Sequence, residues 1–163
     1  MKFRNQIDIK VPPEVAFVFV ADQRNNPKWN YYVTRVTQER GDAPGLGARY
    51  RIHRKTDKQT FAITFFKSGD SFTVETVEGR PIFHRNIEFQ TVPIGTRLID
   101  TWELRTGFPY FLEIFAVGRV RRAVGENLKM LKELLEVGSV RLQDGRLSSI
   151  LASDGMSGHQ NSI

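Results

Sequence analysis

The stretch VGRVRRAVGENLKMLKELLE, residues 117 to 136, decides the fold. Val117, Val120, Val124, Leu128, Leu131, Leu134 and Leu135 recur at steps of three and four, with Lys and Glu between them. That spacing is the period of an amphipathic helix. At about 1.5 Å per residue it makes a rod of roughly 30 Å, the width of a small domain. A rod of that length needs one large apolar surface to lie on. The chain before it reads as the strands that supply one.

Working back towards the N-terminus, Thr96 to Arg105, Ile82 to Thr91, Phe72 to Val77, Thr60 to Phe66, Ala48 to His53 and Tyr31 to Glu39 are short β-prone segments. Polar turns separate them, such as Ser68-Gly69-Asp70 and the run from Gly41 to Gly47. This spacing predicts an antiparallel meander. Phe3 to Val11 alternates apolar and polar residues and reads as one more strand. Pro12 and Pro13 stop it, and Pro13 with Glu14 suits the first turn of a short helix through Val20. A second short helical turn carries Trp29. Gly138 is a helix stop. Residues 139–163, rich in Ser, Gly and Asp, are expected to be a flexible tail beyond a single domain of residues 1–138.

The composition sets limits on function. With no cysteine, the 163-residue chain has no disulfide, no thiolate metal site and no Cys nucleophile. No run approaches the ~20 apolar residues of a membrane span, and the first ten residues lack the apolar core of a signal peptide. A cytoplasmic location is therefore expected. The net charge of +6 is scattered, its densest cluster being Arg119, Arg121 and Arg122. An ordinary solvated surface explains it, which leaves a nucleic acid or an anionic membrane as a less favoured partner. His53 and His84 point outward by alternation, His159 lies in the tail, and no metal-ligand spacing is present. Neither a G-x-S-x-G elbow nor a phosphate loop occurs, since Gly45-Leu46-Gly47 runs into a strand and not a helix. No metal and no cofactor are expected.

Several local features recur in a known order. They are Pro13-Glu14-Val15 opening the first helix, Pro27 to Asn30 in the second, Gly45-Leu46-Gly47 before the third strand, Ile94-Gly95-Thr96 before the last, and Asn127-Leu128 with Leu131-Lys132 in the final helix. Over about residues 1–138 this set resembles the SRPBCC (START-like) superfamily, in particular the polyketide cyclase/dehydrase and lipid transport group. The resemblance implies an α+β, helix-grip (START/birch-pollen-allergen-like) fold. In it a curved antiparallel sheet wraps around a long C-terminal helix, with two short helices after the first strand. It also implies a cavity between sheet and helix that takes a small, largely apolar molecule. Fold-level analogy says nothing more specific about activity.

Strand register narrows the site. Phe83, Arg85, Ile87 and Phe89 share one face of their strand, and Leu98, Asp100, Trp102 and Leu104 share one face of the next. A four-residue hairpin loop then sets Arg85 opposite Trp102 and diagonal to Asp100. Two charges on an apolar face are costly unless paired or serving a ligand. One reading is a structural Arg85–Asp100 pair. The other makes the two residues polar anchors for a ligand carboxylate, enol or carbonyl. Trp29, Tyr50, Ile52 and Ile87, with Val124 and Leu128 of the helix, are further candidate lining residues. The aromatic segment Phe108, Tyr110, Phe111 and Phe115 either packs as core or forms a lip over the cavity.

Three functions follow. The first is binding of a lipid, polyketide or aromatic compound. The second is a metal-free cyclase or dehydratase in the same cavity, with Asp100 as base and Arg85 as oxyanion stabiliser. A carboxylate held beside a cation is a weak base, which counts against it. The third is a macromolecular interaction module using the basic cluster.

Overall fold

Period-two alternation builds the sheet. The structure is a computed structural model that describes residues 1–107 and 109–151. Strand β1 (Lys2–Ile9) leads through α1 (Pro13–Ala21) and a 3-10 helix (Gln23–Lys28) into six further strands. These are β2 (Val33–Arg40), β3 (Arg49–Arg54), β4 (Lys58–Lys67), β5 (Ser71–Glu78), β6 (Ile82–Val92) and β7 (Gly95–Arg105). Helix α2 (Tyr110–Val137) and a hairpin of β8 (Ser139–Arg141) and β9 (Leu147–Ser149) follow. The seven strands form one curved antiparallel sheet in the order β1-β7-β6-β5-β4-β3-β2. The α1 and 3-10 segments carry the chain from one edge of the sheet to the other, and the meander returns to close on β1.

Residues 15 to 20 are strand-like by propensity yet helical in the fold. Pro13 fixes the first turn, and the helix buries Ala16, Phe17, Val20 and Ala21 on one stripe. Phe17 meets Phe66, Phe72 and Phe89 edge-on at ring distances of 5.4, 6.0 and 5.3 Å. The start of β7 explains the Ile94-Gly95-Thr96 feature. Gly95 has φ +139°, and a Cβ there would lie 2.4 Å from the Ile9 carbonyl oxygen. Thr96 donates its hydroxyl to the Val11 carbonyl at 2.7 Å. Only glycine lets β1 and β7 close this tightly.

Helix α2 begins seven residues before the amphipathic repeat. Pro109 caps it, its carbonyl accepting from Leu112 and Glu113 at 2.9 and 3.0 Å. The Glu113 carboxylate reaches back to accept from the Thr106 amide at 3.1 Å. At the other end Gly138, left-handed at φ 90°, donates to the Leu134 carbonyl at 2.8 Å. Leu128, Leu131, Leu134 and Leu135 are buried against the sheet. Polar clamps hold the helix to β1. Lys132 donates to the Asp8 carbonyl at 2.5 Å, and the Lys10 amide donates to Glu136 at 2.7 Å.

Secondary structure continues past Gly138, into the segment expected to be a tail. Residues 139–149 form the β8–β9 hairpin, with Val140 and Leu142 buried. Two apolar side chains in an otherwise polar stretch suffice to dock it, helped by Lys55–Asp144 at 3.0 Å and by the Ile150 amide donating to the Gly138 carbonyl at 3.1 Å. From residue 152 onward, including His159, that expectation lies outside the described residues.

Candidate functional site: a recess between sheet and helix

Between the inner face of the sheet and the middle of α2 lies a recess of about 350 Å³. The 3-10 segment contributes Gln23 and Asn26 to its wall, and Trp29 follows directly at its C-terminal cap. The sheet contributes Ile52, Phe61, Val74, Phe83, Trp102 and Leu104, together with Arg85. The helix contributes Arg119, Val120, Ala123, Val124 and Asn127. Its size lies at the lower end of the range for small-molecule sites, and its walls are mostly apolar and aromatic, as such sites are.

The Arg85–Asp100 geometry follows from the register. Arg85 pairs across the ladder with Trp102, and Ile87 with Asp100. Arg85 donates from Nε and Nη2 to the two Asp100 carboxylate oxygens, both at 2.8 Å. Asp100 is 0% exposed and Arg85 only 8%. The guanidinium lies 4.7 Å from the Trp102 ring and 6.0 Å from the Trp29 ring. Phe3 stacks on Trp102 at 5.9 Å, and Phe83 lies at 5.2 Å. One face of the fork is therefore aromatic, and its two charges cancel locally.

Of the residues anticipated from sequence, the recess brings together Trp29, Ile52, Arg85, Trp102 and Val124. Asp100 stands behind Arg85, fully buried. Ile87 and Leu128 are core residues away from the recess. Tyr50 is also buried core, stacked on Phe61 at 5.7 Å, and its hydroxyl has no hydrogen-bond partner among the described residues. Burial first, then the Asp22 carboxylate, push the Tyr50 phenol up to about 12. Phe111 and Phe115 are not core: they sit in the first turns of α2, 63% and 73% exposed. Phe108 and the Tyr110 side chain lie outside the described residues. A second recess of about 540 Å³ borders the first at Tyr32, Arg119 and Ala123 and includes Phe115 and Arg122.

Asn127 was not singled out as a site residue. The signal was present, because Val120, Val124, Asn127 and Leu131 form one stripe at helical spacing, and an amide in an apolar stripe needs a reason. Phe61 and Phe83 were missed as lining residues although strand alternation puts them on the inner face beside Tyr50 and Arg85. His84 points outward, its Nδ1 against Glu75. Among the described residues no group of three or more His, Cys, Asp or Glu side chains could hold a metal ion. Nor is any helix among them long and apolar enough to cross a membrane.

An antiparallel sheet closed over a long C-terminal helix, with a recess between them, is the architecture of a helix-grip protein. The chain belongs to the polyketide cyclase / dehydrase and lipid transport family, which matches residues 1–136. Solved structures share the fold at low identity. Protein MLL2253 from Mesorhizobium loti aligns with TM-score 0.68 and 14% identity over 86% of this chain and 100% of its own. TTHA0849 from Thermus thermophilus aligns at 0.66 and 18%, covering 84% of this chain and 95% of its own. The Aha1 dimer from Colwellia psychrerythraea aligns at 0.65 and 18%, covering 85% and 98%. No curated protein sequence matches the chain.

Proposed function

We propose that the protein binds a small, largely apolar molecule, a lipid, polyketide or aromatic compound, in the recess between the sheet and α2. The observation that carries this reading is the recess itself: about 350 Å³, walled by aromatic and aliphatic side chains, with its one buried charge pair internally neutralised. The family description, which joins cyclases and dehydrases with lipid transport, agrees with a ligand of that kind. A cytoplasmic location is part of the proposal.

The geometry offers less to a cyclase or dehydratase built on Asp100. Both carboxylate oxygens accept from Arg85, and the group is fully buried. A general base must reach the proton it removes, and Asp100 faces Arg85 instead. The test is displacement of a neutral fluorescent probe, phenylnaphthylamine, with native mass spectrometry of the purified protein beside it. Saturable probe binding that a bulky substitution at Ala123 (Ala123→Phe) abolishes supports the reading. Probe binding that survives a filled recess overturns it.

A further inference from the structure

Two buried polar atoms on residues that line this recess have no partner among the described residues. The indole Nε1 of Trp102, on β7, is buried and donates to nothing among the described residues. The Oδ1 of Asn127, on α2, is buried and accepts from nothing, and the residue is 5% exposed. Both residues line the same recess from opposite walls. Buried polar groups are normally hydrogen-bonded, so two orphans on residues that line one recess require an explanation. The Tyr50 hydroxyl, orphaned within the core away from the recess, does not share this placement.

Resting on the ligand-binding reading above, we propose that the ligand is neutral and carries a hydroxyl group, as a phenol, enol or alcohol, bound by Trp102 and Asn127. The chemistry of the two orphans is complementary. An indole N–H can only donate, and an amide oxygen can only accept. A hydroxyl does both. A carboxylate has no proton to give Asn127, and a hydrocarbon meets neither group. Charge points the same way. Arg85 spends Nε and Nη2 on Asp100, so the floor of the recess holds a neutral pair rather than a free cation. An anion brought there loses its water without gaining a counter-charge. Arg54 and Arg119 are the other cations in the lining: Arg54 is half-buried and donates to the Asp57 carboxylate at 3.0 Å, and Arg119 is exposed, where water screens it.

The experiment compares naphthalene, naphthol, methoxynaphthalene and naphthoate as competitors of phenylnaphthylamine on the full chain. One good hydrogen bond to a desolvated partner predicts that naphthol competes about ten-fold better than naphthalene. Methoxynaphthalene, which accepts but cannot donate, should lose most of that advantage, and naphthoate should compete worst. In Asn127→Leu the naphthol-to-naphthalene ratio should collapse to about one. Trp102→Phe keeps a ring over Arg85 and removes only the donor. It should lower the ratio as well, which guards against a folding defect in the helix variant. Equal competition by naphthol and naphthalene overturns the hydroxyl inference and leaves the apolar recess standing. Tightest binding by naphthoate overturns it in favour of an anion. Failure of all four to compete overturns both this inference and the reading it rests on.

Discussion

Two arginine–aspartate forks lie on neighbouring strand pairs, with the same geometry and opposite surroundings. On the inner face, Arg85 of β6 grips Asp100 of β7 diagonally, with both contacts at 2.8 Å. On the outer face, Arg97 of β7 grips Asp8 of β1 directly across the ladder, at 2.7 and 2.8 Å. The side chains of the inner pair are 10% and 0% exposed, and those of the outer pair 39% and 34%. Distances alone would give the two forks equal worth. Solvent separates them. The outer pair trades one set of water contacts for another and gains little. The inner pair has lost its water, so each partner depends wholly on the other.

That dependence gives the largest expected effect. Arg85→Met should cost about 3–5 kcal/mol in urea unfolding, because it strands a carboxylate in an apolar interior. The double variant Arg85→Met with Asp100→Leu should recover most or all of the loss, since replacing a whole buried pair with apolar side chains is often neutral or stabilising. A single-variant loss below about 1 kcal/mol, the scale of an exposed pair, would mean that Asp100 finds water and that the two forks do not differ.

Tyr50 sharpens the same point with an uncharged group. Its hydroxyl is buried without a partner on the inner face of β3. Tyr50→Phe removes that group and keeps the stacking on Phe61, so a gain of about 1 kcal/mol is expected in thermal unfolding. The pH dependence supplies a second reading of the variant. The folded phenol is pushed up to about 12, against about 10 in an unfolded chain. Stability should therefore hold below about pH 10 and fall as the pH rises from there through the folded value. Tyr50→Phe should lack that part of the alkaline loss. An unchanged alkaline limb would show that the hydroxyl reaches water.

How much of this was legible in the sequence depends on whether a periodicity reported it. Arg85 opposite Trp102 and diagonal to Asp100 could be read from alternation and the loop length, because a sheet register that is off by one turns the whole inner face outward. The C-terminal half of α2 was legible for the same reason. Its first turns were not: Phe111, Leu112, Ile114 and Phe115 are exposed, so no buried stripe marks them as helix. The β8–β9 hairpin escaped because Val140 and Leu142 are too few to show a period among polar neighbours. Within the site, aromatic and charged lining residues stood out by type. Asn127 stood out only by position, as an amide within an apolar stripe. The recess is set by side-chain volumes meeting across elements, which no local pattern encodes.

The outer fork makes the smallest prediction and the most direct test of the contrast. The hydrogen bond from Arg97 holds the Asp8 carboxyl below its ordinary value, with the charges of Arg97 and Lys132 acting in the same direction. A carboxyl whose folded pKa is depressed stabilises the fold above its unfolded pKa of about 3.9 and loses that contribution as the pH falls through the folded value. Asp8→Asn should therefore lower Tm slightly at neutral pH, and the gap from wild type should close as the pH drops below about 4. Because both side chains meet solvent, about 1 M salt, with a screening length near 3 Å, should close the same gap at neutral pH. The inner fork should not respond to salt in this way, since salt does not reach it while the protein is folded. If Asp8→Asn and Arg85→Met showed the same salt response, water would be reaching both forks alike, and the recess floor beside Arg85 would be wet.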